Sequence, residues 1–496
     1  MHASLFFHIP LLSLFILSLL SCTPENSPVS SIPTEEVYIK INIPSLRQTL
    51  RSENQKDPMQ RIESLEMLFF EGADMDSKLL EIRQLNLGST DDNTEDILLK
   101  LPRREEYYLL CIANASAELK QLIQKGNKAE VFLNKEFVLA TRRMSTNLST
   151  EVLNGALMMT NAEGLIPVNE SHYFKNEGDK STARAVDIIL EPIAARVLLD
   201  PTLPRITNSS LRMKDKAKAR YIVTGVSKSI YWVRKTKTTT SSSLLSPLEE
   251  EYAYSPGYEE IAQSTGKDSY TMLIEKYRAF YSSPKSIFEY GVEVDPNIPT
   301  KNLEKSALYC KETTVDPLHF IPSFIPHIVV AYPIHPSDLT VAPDKGWIAF
   351  KGKFLTEEDF TNYVTSLKSN PNTPLPEGMP AEFATSVQKI KEHERVVKMD
   401  QPFSLEGIHF YWKSLNFYIW PLRHFDNKKA PEKNSFGRYG IVRNNEYTVR
   451  VQKISWFGSN TIPDLKNDME AVSEYSSIKF SIEVKDLQQR EQEVEA

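Results

Sequence analysis

The sequence predicts an all-β protein with a few short helices, arranged as two β-sandwich domains in tandem. Thirteen apolar segments, alternating or continuous and bounded by turn residues, are the main observation behind this prediction. Many short strands with few helices are typical of sandwiches of about seven strands per domain. A single core stops growing at about 250 to 300 residues, so a chain of 496 residues is expected to form two domains.

The predicted strands are spread along the whole chain. They cover residues 37–43, 64–70, 107–112, 156–160, 186–190, 196–199, 221–226, 328–332, 347–350, 408–412, 416–420, 447–454 and 478–484. The clearest helix begins after Thr356, a favourable N-cap residue, and a second helix is predicted at about residues 384–397. The first helix has four apolar residues at i, i+3, i+4 and i+7, namely Phe360, Tyr363, Val364 and Leu367.

The composition excludes several classes of function. The chain has 58 Lys and Arg against 65 Asp and Glu, a net charge of −7, which gives no reason to expect a nucleic acid as a partner. Its 17 glycines are roughly half the usual share of about 7%, which argues against phosphate-binding loops. The sequence contains no His-Glu-x-x-His, Gly-x-Ser-x-Gly, Cys-x-x-Cys or Walker A motif. We therefore predict no enzyme activity, no catalytic residues, no metal site and no cofactor.

The N-terminal segment has the pattern of a bacterial lipoprotein signal peptide. Residues 11–20 form an apolar run that is too short to span a bilayer, which needs about 20 residues, but has the length of a signal-peptide core. The run ends in Leu19-Leu20-Ser21-Cys22, a lipobox pattern in which Cys22 is acylated. We expect residues 1–21 to be removed and Cys22 to carry the lipid, followed by a tether rich in Pro and Ser.

Two segments near the ends of the chain have the same alternating pattern. Each presents four apolar residues on one face, namely Val37, Ile39, Ile41 and Ile43 in the first and Ile478, Phe480, Ile482 and Val484 in the second. Burial of four such side chains contributes roughly 6 to 12 kcal/mol. The two segments are therefore able to fill the same kind of groove, although both also fit ordinary sandwich strands.

The segment after the first strand is a candidate site of proteolysis. Residues 47–58 are polar and rich in turn formers, and they include Arg47 and Arg51. Exposed segments of this kind are preferred by proteases. A cut there would make the first strand releasable, and the open groove would accept a strand from another molecule by β-augmentation.

Several motifs resemble those of one family. In chain order they are the lipobox Cys22, the strand and loop ending at Arg51, Ile62-Glu63-Ser64-Leu65-Glu66-Met67, Ala156-Leu157-Met158-Met159-Thr160, Pro192-Ile193-Ala194-Ala195-Arg196-Val197 and Tyr439-Gly440-Ile441-Val442-Arg443-Asn444-Asn445-Glu446-Tyr447. Together they resemble the fimbrillins of Bacteroidales type V pili, and are similar to the major subunit of the Porphyromonas short (minor) fimbrium. The Val-Arg-Asn-Asn-x-Tyr run is the most specific of these motifs.

The resemblance implies a subunit of an adhesive surface fimbrium with transthyretin-like, Greek-key sandwiches. Its precursor would be an outer-membrane lipoprotein bearing palmitate on Cys22, and an Arg-specific surface protease would cut it after Arg51 or, as second choice, Arg47. Polymerisation would proceed by donor-strand exchange through residues 478–484 and the tail 487–494. The implied domains are the signal peptide 1–21, the propeptide 22–51, an N-terminal domain 52–180 and a C-terminal domain 181–496 that ends in the donor strands at about 476–496.

Several alternatives remain open at this stage. A surface lipoprotein that binds glycan or host protein without polymerising is one, and a tip or anchor subunit of the fimbrium is another. The expected partners are identical or related subunits, the protease, the outer membrane through the lipid, and host proteins or partner bacteria. The sequence also leaves open whether Cys111 and Cys310 form a disulfide.

Overall fold

The computed structural model describes residues 35–44, 59–86, 97–133, 136–137, 156–162, 164–235, 254–299, 306–314, 319, 321–422, 424, 440–467 and 478–486. The predicted fold class is confirmed, because strands dominate these residues and form several sheets that enclose apolar cores. Each of the thirteen predicted strand segments contains or overlaps a strand of the structure.

The first ten strands lie before residue 193. They are β1 (Glu36–Asn42), β2 (Ser64–Phe70), β3 (Leu79–Asn86), β4 (Ile97–Pro102), β5 (Glu106–Ala113), β6 (Glu136–Phe137), β7 (Met159–Asn161), β8 (Ile166–Asn169), β9 (Ala185–Asp187) and β10 (Leu190–Pro192). Helices α1 (Ala117–Leu122) and α2 (Glu130–Leu133) follow β5. Short 3₁₀ turns occupy Glu170–His172 and Glu177–Ser181.

The remaining strands begin at Ala194. They are β11 (Ala194–Leu199), β12 (Arg205–Ile206), β13 (Leu211–Met213), β14 (Ala219–Thr224), β15 (Val226–Ser227), β16 (Ile230–Tyr231), β17 (Arg278–Ala279), β18 (Val292–Val294), β19 (Leu308–Lys311), β20 (Thr313–Thr314), β21 (His327–Pro336), β22 (Trp347–Phe350), β23 (Lys353–Thr356), β24 (Phe403–Leu405), β25 (Ile408–Tyr411), β26 (Leu415–Pro421), β27 (Gly440–Ile441), β28 (Asn445–Ile454) and β29 (Ile478–Asp486). The helices among them are α3 (Tyr258–Gln263), α4 (Lys267–Tyr277), α5 (Ser286–Glu289), α6 (Glu357–Ser369), α7 (Glu382–Ile390) and α8 (Glu394–Lys398), and a 3₁₀ turn covers Trp412–Ser414.

The N-terminal half is a sandwich of two sheets. One has the order β4-β1-β9 and the other the order β10-β7-β5-β2-β3, with β8 also paired to β5. Their facing sides share a core that includes Ile39 and Val186 from the first sheet and Leu65 and Tyr107 from the second. The strands up to Pro192 pair within these sheets, except β6, which pairs with β16 (Ile230 opposite Phe137). The predicted domain boundary near residue 180 stays a prediction.

The C-terminal half is a second sandwich. One sheet has the order β12-β28-β11-β19, with β29 also paired to β28, and the other has the order β13-β21-β14-β18, with β26 also paired to β21. The core between them includes Tyr221, Val330, Tyr447 and Phe480. Both halves are thus two-layer structures, the arrangement that strands with one apolar face favour.

A small α/β unit, which the sequence did not predict as a unit, is inserted between β21 and β26. It consists of the sheet β23-β22-β25-β24 and helices α6, α7 and α8, and it has its own core around Phe360, Phe383 and Phe410. The predicted helix after Thr356 is confirmed, since the Thr356 hydroxyl accepts from the Asp359 amide at 3.0 Å. The single helix predicted at 384–397 is wrong, because α7 and α8 are separate helices and His393 caps the start of α8.

Candidate strand-exchange site

Strand β1 lies in a groove between two other strands. It pairs antiparallel with β4, from Glu36 opposite Pro102 to Ile41 opposite Ile97, and parallel with β9, where Asn42 is opposite Asp187. Because side chains alternate along a strand, its apolar positions all point into the sandwich. Val37, Ile39, Ile41 and Ile43 are at most 2% exposed.

The backbone of β1 is bonded on both sides. Tyr38 and Phe174 exchange two backbone hydrogen bonds of 2.9 and 3.1 Å, and the Ile188 amide donates to the Asn42 carbonyl at 2.9 Å. The ring of Tyr38 also stacks on Phe174, with the centroids 5.8 Å apart. Strand β1 is therefore an interior strand of its sheet, and removal of it would leave two edges unpaired.

Ionic contacts hold the start of β1. Arg103 Nη1 contacts Glu35 Oε2 at 2.9 Å, its backbone amide donates to the Glu35 carbonyl at 2.6 Å, and Lys175 Nζ lies 3.5 Å from Glu35 Oε1. The hydrogen bond from Arg103 lowers the pKa of Glu35 below its ordinary value. Glu36 pairs in the same way with Lys100, which raises the pKa of that lysine. These groups are exposed, so they contribute to register and orientation more than to stability.

Strand β29 lies on one side of β28 and covers part of the C-terminal core. The two pair antiparallel from Ile454 opposite Ile478 to Asn445 opposite Asp486, with one irregularity between Val451 and Lys453. The strand predicted from the alternation in this segment is confirmed. Ile478, Phe480 and Ile482 are 5 to 8% exposed, and Val484 is half-buried.

The two strands are held differently. Strand β1 has partners along both edges, whereas among the described strands β29 pairs only with β28. The apolar face of β1 is also the more completely buried. An edge strand leaves one row of N–H and C=O groups without a strand partner. Each of the two strands forms nine residue pairs with its described neighbours, so the difference between them is the open edge of β29 and not the number of its pairs.

The Val-Arg-Asn-Asn-x-Tyr motif is a buried turn rather than a surface feature. Arg443 is fully buried, and its Nη2 and Nη1 donate to the carbonyls of Tyr231 at 2.7 Å and Trp232 at 3.1 Å. Its Nε donates to Glu312 Oε2 at 3.1 Å. Asn444, at a φ of 63°, is in the left-handed region that Asn tolerates, and its amide donates to the Ala194 carbonyl.

The rest of the motif fixes the start of β28. The Tyr447 hydroxyl accepts from the Val442 amide at 2.8 Å and lies 2.8 Å from His424 Nδ1. Glu446 accepts from Arg196 Nε at 2.7 Å, which links β28 to the neighbouring strand β11. Burial lowers the pKa of His424 to about 3, so this imidazole is neutral. The motif thus anchors β28, the strand on which β29 rests.

A second buried ion pair joins the two halves of the chain. Arg234, just after β16, contacts Glu191 of β10 through two bonds of 2.8 and 2.6 Å, and the Glu191 side chain is completely buried. Thr160 of the Met-Met-Thr motif donates its hydroxyl to the nearby Trp232 carbonyl at 3.1 Å. A planar guanidinium with bidentate contacts restricts the relative placement of both elements.

The other predicted site residues are in different positions. Cys22, Arg47, Arg51 and the tail 487–494 lie outside the described residues, so their roles stay predictions. Cys111 and Cys310 are free thiols in separate cores, and burial raises the pKa of both.

Sequence reasoning missed one wall of the β1 groove, β4, whereas the other wall, β9, overlaps the strand predicted at residues 186–190. Strand β4 was not predicted, although its run Ile97-Leu98-Leu99-Lys100-Leu101 before Pro102 is a readable strand signal. Arg103, which binds Glu35, had no signal of its own. A search for the partner strands of β1 would have found β4 but not the contact of Arg103 with Glu35.

Two negative findings concern the described part of the chain. No helix there is both long and apolar enough to cross a membrane. The same residues contain no group of three or more His, Cys, Asp or Glu side chains arranged to hold a metal ion.

A family model matches the end of the chain. Residues 409–493 match the model described as major fimbrial subunit protein type IV, fimbrillin, C-terminal. This match confirms, over that segment, the resemblance to fimbrillins inferred from the sequence. The matched segment contains β26, β28 and β29, and also the Arg443 turn. A comparison with curated protein sequences gives no match.

The solved structures that match most of this chain are distant in sequence. A candidate cell adhesion protein from Parabacteroides distasonis is 12% identical with a TM-score of 0.44, covering 91% of this chain and 98% of that one. The C-terminally truncated tip fimbrial protein Mfa3 of Porphyromonas gingivalis is 11% identical with a TM-score of 0.38, covering 91% and 99%. A fimbrillin, FimA, of Porphyromonas gingivalis is 12% identical with a TM-score of 0.40, covering 90% and 96%.

Proposed function

We propose that this chain, whose residues 409–493 match the C-terminal region of the fimbrillin family, is a structural subunit of a cell-surface fimbrium. The observation that carries the proposal is this match, because the family model describes a major fimbrial subunit and the matched segment includes β29. The function is structural, in keeping with the non-enzymatic character of the family.

The subunit polymerises by donor-strand exchange. In the precursor, β1 fills its own groove and β29 rests on β28. After cleavage at Arg51 or Arg47, β1 leaves and β29 of another copy enters the groove. The proposal is supported by the equal spacing of four apolar residues in both strands, and by the edge position of β29 among the described strands and its less complete burial.

Proteolysis supplies the direction of assembly. Exchange of one strand with four inward apolar residues for another is close to isoenergetic, since each buries a similar apolar area. Detachment of β1 by itself exposes the core around Ile39 and leaves two strand edges unpaired, so an intact precursor keeps it. Irreversible loss of the tethered strand removes the competitor for the groove.

The location follows from the processing. The precursor is a lipoprotein of the outer membrane held by Cys22, and cleavage frees the mature subunit for the fimbrium. Its partners are identical or related subunits, the Arg-specific protease and, through adhesion, host proteins or other bacteria. This part of the proposal rests on residues outside the described part of the chain.

The intact mass and N-terminus of the protein recovered from the cell surface test the proposal. A lipid-free form that begins at Ser52 or Gln48 and forms a ladder of multimers is expected. The double variant Arg47→Ala with Arg51→Ala should remain acylated and monomeric. An acylated native form that begins at Cys22 and never polymerises would instead identify a binding lipoprotein or an anchor subunit. Polymerisation of the uncut double variant would refute the role of cleavage.

A further inference from the structure

We propose that β29 of a second copy enters the β1 groove in the direction opposite to β1. This inference rests on the proposed strand exchange and specifies the direction in which the partner strand lies in the groove. The groove has one preferred strand direction because the charges along its outer rim are matched by the outward face of β29 in that direction only.

The apolar face does not decide the direction. Strand β1 fills four inward positions, at Val37, Ile39, Ile41 and Ile43, and β29 supplies four inward side chains at the same spacing. A strand turned end over end keeps its alternation, so all four positions are filled either way. Only the residues between them differ in the two directions.

The rim of the groove carries a basic and an acidic group at opposite ends. Lys100 is directly opposite Tyr38, with its Nζ 6.0 Å from the ring centroid, and is exposed. At the other end Asp187 is opposite Asn42, whose Nδ2 donates to Asp187 Oδ1 at 2.5 Å. A donor strand therefore meets a positive charge at the Tyr38 position and a negative charge at the Asn42 position.

In the opposite direction, the donor matches both charges. Val484 then takes the position of Val37, which places Glu483 at the Tyr38 position beside Lys100. The same register places Lys479 at the Asn42 position beside Asp187. Opposite charges on directly paired residues stabilise a sheet, and both side chains are exposed on β29 before exchange.

In the direction of β1, the same donor mismatches both charges. Ile478 would take the position of Val37, so Lys479 would lie beside Lys100. Glu483 would then lie beside Asp187. Like charges directly opposite each other destabilise a sheet, so one direction has two repulsive pairs where the other has two attractive ones.

The ends of the groove agree with this direction. The opposite direction places Asp486 in register with Glu35, the acidic residue that contacts Arg103 and Lys175. Two features oppose this direction. Lys485 would lie at the Glu36 position near Lys100, which places two lysines together. The donor would also pair with β4 in a parallel ladder, which is slightly weaker than an antiparallel one.

Cysteine cross-linking in assembled, protease-treated full-length subunits distinguishes the two directions. Lys100→Cys combined with Glu483→Cys should give disulfide-linked ladders on a non-reducing gel, because the two positions become neighbours across subunits. The matched control, Lys100→Cys combined with Lys479→Cys, should give none. The native thiols Cys111 and Cys310 are buried and do not compete.

The outcomes separate this inference from the proposed function. Ladders from the control pair, and none from the first, would overturn the direction while supporting strand exchange. Native subunits that are cleaved but form no multimers would overturn the proposed function itself. As a second readout, Lys479→Glu should slow assembly by about two- to fivefold, and adding Asp187→Lys should restore the rate. Faster assembly of Lys479→Glu alone would contradict the proposed direction.

Discussion

Arg443 donates from Nε to Glu312 Oε2 across 3.1 Å, and both side chains are buried, at 0% and 1% exposure. The Arg443 amide also donates to Glu312 Oε1 at 3.2 Å, so the carboxylate receives bonds from both the backbone and the side chain of one residue. A buried charge of this kind is tolerated only when its partner is present. The pair therefore makes the turn before β28 dependent on a residue 131 positions earlier.

Removal of the Glu312 charge is expected to destabilise the protein strongly. Glu312→Gln leaves the Arg443 guanidinium buried without its counter-ion, which costs about 3 to 5 kcal/mol of unfolding free energy. Urea denaturation followed by fluorescence measures the loss. Glu275→Gln is the matched control, since Glu275 is mostly exposed in its pair with Lys466 and should change stability by less than about 1 kcal/mol. Equal effects of the two variants would contradict the importance of the buried pair.

Hydrogen exchange should separate the two strands of the proposed exchange. In the intact precursor, peptides that cover β29 are expected to exchange faster than those that cover β1, because among the described strands β29 pairs along one edge and β1 along both. Mass spectrometry of peptic fragments gives both rates in one experiment. Slower exchange in β29 would contradict the expectation that its open edge leaves its amides less protected.

Core truncations should reveal the same difference. Ile41→Ala removes a completely buried side chain between two strands and is expected to cost about 2 to 5 kcal/mol. Ile482→Ala, at an edge and 8% exposed, is expected to cost less, because a peripheral site relaxes more easily around the lost atoms. Chemical denaturation of the uncleaved precursor compares them, with Lys40→Ala and Ser481→Ala as outward-facing controls. A larger loss for Ile482→Ala would contradict the comparison.

The strands themselves could be predicted from local patterns. The alternation at Val37 to Ile43 and at Ile478 to Val484 depends only on neighbouring residues, and both segments are strands in the structure. The helix after Thr356 was readable for the same reason, since its cap and apolar stripe are local. Such signals identify an element but not its partners.

What could not be predicted depends on distant contacts. Nothing near Glu312 in the sequence indicates that it is buried against Arg443, and nothing near Arg103 indicates that it binds Glu35. Helix α4 was missed because its buried residues, Leu273, Ile274 and Tyr277, form only a short stripe. The separate core of the inserted α/β unit likewise depends on which strands pair, which no single segment specifies.

The stability of the protein is expected to decrease as the pH falls below about 6.5, and His424 is one cause. Burial lowers the pKa of His424 to about 3, against an ordinary value of 6.5, and His327 is shifted in the same direction to about 4. The unfolded chain therefore binds a proton at each histidine below pH 6.5, whereas the folded chain does so only near pH 3 to 4. Because the unfolded state binds more protons, stability decreases as the pH falls through this window.

His424→Asn tests this assignment. The Asn side-chain carbonyl is able to accept from the Tyr447 hydroxyl in place of Nδ1, but it does not titrate. Unfolding free energies measured from pH 7 to pH 5 should fall by about 2 kcal/mol less in the variant than in the native chain, at about 1.4 kcal/mol for each pH unit below 6.5. His172→Asn is a control at a half-exposed position and should leave most of the slope in place. An unchanged slope in His424→Asn would mean that His424 is already protonated in the folded protein, or that other groups account for the acid sensitivity.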